Sequence, residues 1–122
     1  IINSDNEVLI LRRSDKVSRA HGIDVPGGGV DAGESPETGA IREVFEEAGI
    51  TIDTPQLVGS FYTKSSDGDD AVMLGYVVRL KGNTPPVTIS WEHEGYEWKS
   101  MEEIVPAEMP FYYGKLFSSV QF

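Results

Sequence analysis

The chain contains no cysteine and few basic residues. Of its 122 residues, 10 are Lys or Arg and 20 are Asp or Glu, which gives a net charge of −10 at pH 7. The lack of cysteine excludes disulfides, thiolate metal sites and cysteine nucleophiles. The shortage of cations argues against a nucleic acid polymer as partner, because binding of such polymers depends on Lys and Arg neutralising their phosphates.

Long apolar segments are also missing. No run approaches the roughly 20 residues that a membrane-spanning helix needs, and the acidic balance disfavours adsorption to anionic lipid, so we expect no membrane partner. Without a signal-like segment, the default location is the cytoplasm. The chain begins at Ile1 rather than Met, which leaves open whether its N-terminus is complete. The absence of repeats and low-complexity segments predicts one domain over residues 1–122.

Local signals predict a series of short elements. The apolar run at residues 8–11 predicts a strand buried on both faces. Ser35 as N-cap, Pro36 as first helical residue and Gly49 as stop signal predict a helix over Pro36–Ala48. Strands are predicted at 57–63, 71–80 and 96–99, a short helix between Ser100 and Pro106, and a terminal helix at 111–120 that Gly114 weakens. This order predicts a mixed sheet with helices packed on it.

The predicted helix carries three glutamates on one face. At about 100° per residue, Glu43, Glu46 and Glu47 lie together, apart from an apolar stripe formed by Ala40, Ile41, Val44, Phe45 and Ala48. Like charges at this spacing repel one another, and the helix C-terminus disfavours anions. A hard divalent cation would reverse that repulsion, because Mg²⁺ and Mn²⁺ prefer carboxylate oxygens. A merely solvated acidic face is the alternative.

The context of this face resembles a known motif. Residues 28–50 read GGVDAGESPETGAIREVFEEAGI and resemble the Nudix box, G-x5-E-x7-R-E-U-x-E-E-x-G-U, where U is a bulky aliphatic residue. Every defined position is filled, by Gly28, Glu34, Arg42, Glu43, Val44, Glu46, Glu47, Gly49 and Ile50. The segments at 9–13, 25–28 and 94–104 also resemble those of MutT-like Nudix hydrolases. The resemblance implies an α/β/α sandwich with a mixed β-sheet, and a single Nudix hydrolase domain over residues 1–122.

The resemblance also implies an activity. Nudix hydrolases cleave a nucleoside diphosphate linked to another moiety, X, by attack of water on phosphorus, with Mg²⁺ as cofactor and Mn²⁺ as a substitute. A nucleoside triphosphate is the expected small-molecule substrate. ADP-ribose, nucleotide sugars, dinucleoside polyphosphates and coenzyme A stay open as alternatives, as does a non-catalytic nucleotide-binding or regulatory module of the same fold. Monomer and homodimer are both open.

Roles follow from the resemblance, residue by residue. Glu43, Glu46 and Glu47 are expected to be catalytic metal ligands, although Glu43 could instead orient or deprotonate the attacking water. Arg42 is also expected to belong to the catalytic site, where it pairs with a glutamate of the Nudix box and holds that glutamate in one rotamer. Glu34 is expected either to complete the metal site or to tie the glycine-rich loop to the helix.

The remaining expected site residues lie outside the helix. Glu92 and Glu94, from a late loop, are both candidates for one further metal ligand. For phosphate binding we expect Arg13 rather than Arg12, because consecutive strand residues point to opposite faces.

The last two expectations concern the glycine-rich loop and His93. Gly27 and Gly28 are expected in the substrate-binding loop, where they supply backbone freedom and an exposed N–H or carbonyl near the metal, a structural rather than a catalytic role. His93 could serve as a general base, but a lone loop histidine is more often a plain polar residue.

Overall fold

Two antiparallel sheets and two α-helices make up the described part of the chain. The computed structural model describes residues 1–65, 67–104 and 108–122, apart from the side chains of Phe111 and Tyr112. One sheet has the order β2 (Ile23–Asp24), β1 (Val8–Arg13), β5 (His93–Lys99), and the other pairs β3 (Gln56–Lys64) with β4 (Asp70–Val77). The helices are α1 (Pro36–Ala48) and α2 (Phe111–Ser118).

Strand β1 lies at the centre of the core. Leu9 and Leu11 pack with Val44 and Ala48 of α1 on one face of the sheet. Val8 and Ile10 pack on the other face, in a cluster that includes buried residues of α2. The prediction of a strand buried on both faces is therefore confirmed, and helices cover the sheet from two sides.

Helix α1 begins and ends where the sequence predicts. The Ser35 hydroxyl accepts a hydrogen bond from the Thr38 N–H, and Gly49 closes the helix in the left-handed conformation at φ 70°. Its covered face differs from the predicted stripe, however. Phe45 is 59% exposed, whereas Glu47 is only 5% exposed. The prediction that the acidic face is separate from the core is wrong at Glu47, because this side chain turns inward beneath the glycine-rich loop.

Several strand and helix boundaries also differ from prediction. Strand β2 was not predicted, β5 begins three residues early at His93, and β4 stops at Val77. The next residues instead pair with Ile2, through an isolated parallel bridge between Ile2 and Arg79. This bridge is the one parallel pairing in the described ranges, where a mixed sheet was expected.

The C-terminal predictions are met in part. A single 3₁₀ turn, Met101–Glu103, replaces the short helix, and α2 forms despite Gly114. The predicted helix end before Pro106 lies outside the described residues. None of the helices in the described ranges combines the length and apolar character needed to cross a bilayer.

Candidate active site

The loop between β2 and α1 packs directly on the acidic helix. The Gly27 N–H donates to Oε1 of Glu47 at 2.7 Å. A Cβ added at Gly28 would lie 2.5 Å from Cδ and Oε1 of Glu43, so any larger residue there would displace the Glu43 carboxylate. Neither glycine has a positive φ. The sequence argument from backbone freedom therefore needs correction, because close approach to a carboxylate is what position 28 requires.

Arg42 organises the remaining carboxylates. Its guanidinium binds Glu34 through two hydrogen bonds of 2.9 and 3.0 Å. Nη1 also donates to Glu43 Oε1 at 2.9 Å and to Glu46 Oε2 at 3.1 Å, and Nη2 donates to the Gly29 carbonyl at 2.9 Å. The hydrogen bonds from Arg42 and from the Asp31 N–H lower the pKa of Glu34 to about 2. Arg42 thus ties the glycine-rich loop to α1 through charge-assisted hydrogen bonds.

This arrangement places Glu34 at the junction of loop and helix. Its Oε1 also accepts the Asp31 N–H at 2.9 Å. A Cβ at Gly39, in the first turns of α1, would lie 3.0 Å from that same oxygen, so Glu34 packs closely against this glycine. Of the two roles considered for Glu34, these contacts support the structural tie.

Each of the three clustered glutamates keeps one oxygen without a hydrogen bond. Arg42 occupies one oxygen of Glu43 and one of Glu46, and Gly27 occupies one of Glu47. Within the described ranges, Glu43 Oε2, Glu46 Oε1 and Glu47 Oε2 accept no hydrogen bond. Three available carboxylate oxygens on neighbouring turns are a donor set that suits a hard divalent cation.

The buried position of Glu47 also favours a bound cation. Burial raises the pKa of Glu47 to about 7, against the opposing effect of the Gly27 N–H. A buried carboxylate without a full counter-charge gains from a bound cation. In the side-chain positions of the described residues, no three Asp, Glu or His groups converge closely enough to enclose an ion. By chemistry and location, the free oxygens of Glu43, Glu46 and Glu47 nevertheless fit a divalent cation.

A buried polar network lies behind Glu47. Asp24 accepts hydrogen bonds from Arg13 Nη1 at 2.8 Å, from the Tyr113 hydroxyl and, over a long 3.5 Å, from His93 Nε2. Burial opposes ionisation of Asp24, but the hydrogen bonds from His93, Tyr113 and Arg13 outweigh it and hold its pKa below the ordinary value. The other ring nitrogen of His93 has no hydrogen-bond partner among the described residues and lies 3.9 Å from Glu47 Oε2.

This network corrects the interpretation of His93. The side chain is 1% exposed and lies in β5, so it is neither a loop residue nor a solvated one. The two glutamates that flank His93 were the predicted metal ligands. Glu94 pairs with His21 at 2.5 Å, and in the described ranges neither Glu92 nor Glu94 makes a side-chain contact with the α1 carboxylates. The structure thus brings His93 to Glu47, where the sequence suggested its two neighbours.

The two predicted phosphate-binding arginines are both engaged within the chain. Arg12 Nη1 donates to the His21 carbonyl at 2.6 Å. Arg13 lines a neighbouring cavity, but Asp24 and Ser18 occupy its guanidinium.

A cavity of about 860 Å³ opens beside this site. The glycine-rich loop and Glu43 form one wall, and the β3–β4 hairpin and α2 supply an apolar wall that includes Phe61, Met73 and Leu116. Arg19 lies on the rim. Pockets of about 300 to 1,000 Å³ bind compounds of drug or nucleotide size. The carboxylate cluster therefore borders a space large enough for one nucleotide.

Comparison with known proteins decides the family. The family model for the NUDIX domain matches residues 1–119. The chain belongs to the Nudix family. It is similar to the 8-oxo-dGTP diphosphatase of Escherichia coli, with 31% identity over 117 residues that cover 90% of this chain and 86% of the relative. It is also similar to the RNA pyrophosphohydrolase of Rickettsia africae, with 26% identity over 128 residues that cover 91% of this chain and 77% of that protein.

A solved structure supports the same assignment. The crystal structure of the MutT protein from Methanosarcina mazei matches this Nudix domain with a TM-score of 0.80 and 31% identity, covering 96% of this chain and 84% of the other. The predicted Nudix fold is therefore confirmed. The prediction of a Nudix hydrolase is confirmed by the family match and by relatives named as a diphosphatase and a pyrophosphohydrolase.

Three residues at the site were not predicted from the sequence. Asp24 and Tyr113 are 89 positions apart, and no local pattern links them. Arg19 follows the arginine pair by six positions, in a polar segment without a recognisable motif. The roles assigned above to individual Nudix box residues stay predictions.

Proposed function

We propose that this Nudix protein is a Mg²⁺-dependent pyrophosphohydrolase of the MutT-like kind, which cleaves a nucleoside triphosphate to a nucleoside monophosphate and pyrophosphate. The observation that carries the proposal is the position of Glu43. This residue belongs to the carboxylate cluster around Arg42 and also lines the 860 Å³ cavity. A substrate in the cavity would therefore place its phosphates beside the carboxylates.

The cluster supplies separate groups for the separate tasks of hydrolysis. Glu43 faces the cavity with one oxygen free, so it is suited to take the proton of the water that attacks phosphorus. Glu46 and Glu47 do not line the cavity and are suited to hold the cation. When bound, the cation neutralises the phosphates and lowers the pKa of its water ligand. Arg42 restrains Glu43 and Glu46 in these positions.

The charge balance favours a free nucleotide over a nucleotide at the end of a polymer. With a net charge of −10, the protein surface repels the phosphates of a long RNA, whereas a single nucleotide contacts only the cavity. The name of the Escherichia coli relative supports a deoxynucleoside triphosphate with a modified base as one candidate.

A substrate panel tests the proposal. The protein is incubated with and without Mg²⁺ with natural nucleoside triphosphates, 8-oxo-dGTP, ADP-ribose, a dinucleoside polyphosphate and a 5′-triphosphorylated RNA oligonucleotide. Release of pyrophosphate and monophosphate is then measured. We expect Mg²⁺-dependent turnover of a triphosphate. Nucleotide binding without turnover of any compound would favour the non-catalytic module, and faster turnover of the RNA would move the substrate assignment to polymer ends.

Substitution of Glu46 tests the cluster itself. Glu46→Gln should lower turnover by about 100-fold or more and weaken Mn²⁺ binding measured by electron paramagnetic resonance, because it replaces a charged ligand by a neutral amide. Glu37→Gln is the matched control, since it removes the same charge from the exposed first turn of the same helix. Similar turnover and Mn²⁺ binding in the two variants would contradict the assignment.

A further inference from the structure

The loop at residues 14–22, here called the rim loop, contributes Ser18 and Arg19 to the lining of the cavity. We propose that Arg19 binds a phosphate group of the nucleotide and so sets the affinity of the site for polyphosphate. This inference rests on the proposed function, because it assigns a residue to the same substrate.

Arg19 is the available cation of the cavity wall. The described cationic side chains that line the cavity are Arg13, Arg19 and Lys64. Arg13 donates from Nη1 to Asp24 at 2.8 Å, and from Nε and Nη2 to Ser18 at 2.6 and 3.3 Å. Lys64 pairs with Asp70 at 3.0 Å.

The guanidinium of Arg19, by contrast, makes no hydrogen bond or ion pair within the described ranges. Of the three cationic side chains that a polyphosphate would meet in the cavity, Arg13 and Lys64 are already paired with carboxylates, and Arg19 is available. A guanidinium is well suited to the task, since its planar fork can donate two hydrogen bonds to one phosphate.

The backbone holds Arg19 at the rim in an unfavourable conformation. Arg19 has φ 50°, a left-handed conformation that non-glycine residues rarely adopt. The Gly22 N–H donates to the Arg19 carbonyl at 3.0 Å, and Arg13 exchanges backbone hydrogen bonds of 2.8 and 2.9 Å with Gly22 and His21. The turn is thus anchored to the end of β1. Strained residues that the surrounding structure maintains occur frequently at ligand sites.

Negative charges surround Arg19 at the cavity. The charged groups on the same cavity wall include Asp24 and Glu43, and the whole chain carries a net charge of −10. Asp24 is neutralised by Arg13, whereas Glu43 shares Arg42 with Glu46. A phosphate bound in this cavity therefore needs a positive group to offset the carboxylates, and Arg19 supplies it.

Lys16 offers a matched control for this inference. It belongs to the same exposed loop and carries the same charge, but it does not line the cavity. Arg19→Ala and Lys16→Ala therefore change the net charge equally, and differ only in whether the lost cation borders the cavity. Arg19→Lys keeps the charge but loses the fork. All three substitutions lie on an exposed loop, and thermal unfolding will verify that the fold is retained.

Steady-state kinetics on the best triphosphate of the panel is the first measurement. Arg19→Ala should raise KM by about tenfold or more, because a charge-assisted hydrogen bond to phosphate is lost, while kcat changes far less. Lys16→Ala should stay within about twofold of the wild type, and Arg19→Lys should recover part of the loss. Equal KM values for the two alanine variants would overturn the inference and leave the proposed function standing.

Binding of inorganic tripolyphosphate provides a measurement that does not need turnover. Isothermal titration calorimetry in the presence of Mg²⁺ should show binding by the wild type and by Lys16→Ala, with an affinity about tenfold lower for Arg19→Ala. No binding by the wild type, or equal binding by all variants, would overturn the inference even if no panel compound were hydrolysed. Absence of turnover with Arg19-dependent binding would instead contradict the proposed function alone.

Discussion

Replacing Gly28 with alanine should remove most of the activity while leaving the fold intact. The added Cβ would lie 2.5 Å from both Cδ and Oε1 of Glu43, whereas ordinary contacts begin at 3.4 Å. The Glu43 carboxylate should therefore move by about 1 Å, because the end of a flexible side chain yields more easily than the packed atoms around it. The Glu43 carboxylate is the end of a flexible side chain, so its displacement disturbs the candidate active site rather than the hydrophobic core.

The expected size of the effect follows from this displacement. Misplacement of a reacting group by about 1 Å can lower turnover by about 100-fold. We therefore expect a fall of that order in kcat for Gly28→Ala on the substrate that the panel identifies. The apparent melting temperature should change little, since position 28 is exposed and its φ is not positive.

Gly29→Ala is the matched control. A Cβ at Gly29 meets nothing within 4 Å, and this glycine lies in the same exposed loop with the same loss of backbone freedom on substitution. Kinetics and thermal unfolding of both variants are measured in parallel. If Gly28→Ala keeps kcat within about twofold of Gly29→Ala, Glu43 does not act where we place it.

Two further predictions concern buried carboxylates. Asp24→Asn should lower the free energy of unfolding in urea titrations by about 3 kcal/mol, because it leaves Arg13 without its buried partner. The control Asp70→Asn, which removes the exposed partner of Lys64, should change the free energy of unfolding far less. Since the pKa of Asp24 is held low, the stabilisation by the Asp24 carboxylate is present above about pH 4 and is lost as the pH falls through the folded-state pKa. The stabilities of Asp24→Asn and the wild type should therefore converge in acid. Equal losses of stability for Asp24→Asn and Asp70→Asn would contradict the argument. For Glu47, burial raises the pKa to about 7, so its favourable contribution is present below about pH 4 and is lost as the pH rises through 7. Glu47→Gln should therefore be more stable than the wild type in EDTA at pH 8. In calorimetric scans, added Mg²⁺ should stabilise only the wild type. A wild type more stable than Glu47→Gln in EDTA would contradict this reasoning.

The features that the sequence determined by itself are local. Helix α1 has its predicted bounds because Ser35 and Gly49 satisfy its ends through contacts with residues a few positions away. The spacing of the Nudix box likewise places Glu43, Glu46 and Arg42 within one turn of each other, wherever the helix docks. Strand β1 was predictable for a similar reason, since a short run without polar residues is buried on both faces.

The tertiary structure decided which of these groups are buried and what they contact. A helical wheel places Phe45 and Glu47 by angle alone, but the position of the glycine-rich loop determines that Glu47 is covered and Phe45 is not. Asp24 meets Tyr113 of α2, and Arg19 reaches the cavity rim, only once distant segments have packed. Such contacts depend on the summed packing of the whole chain, because burial and charge pairing are properties of neighbours in space, and the sequence lists only neighbours along the chain.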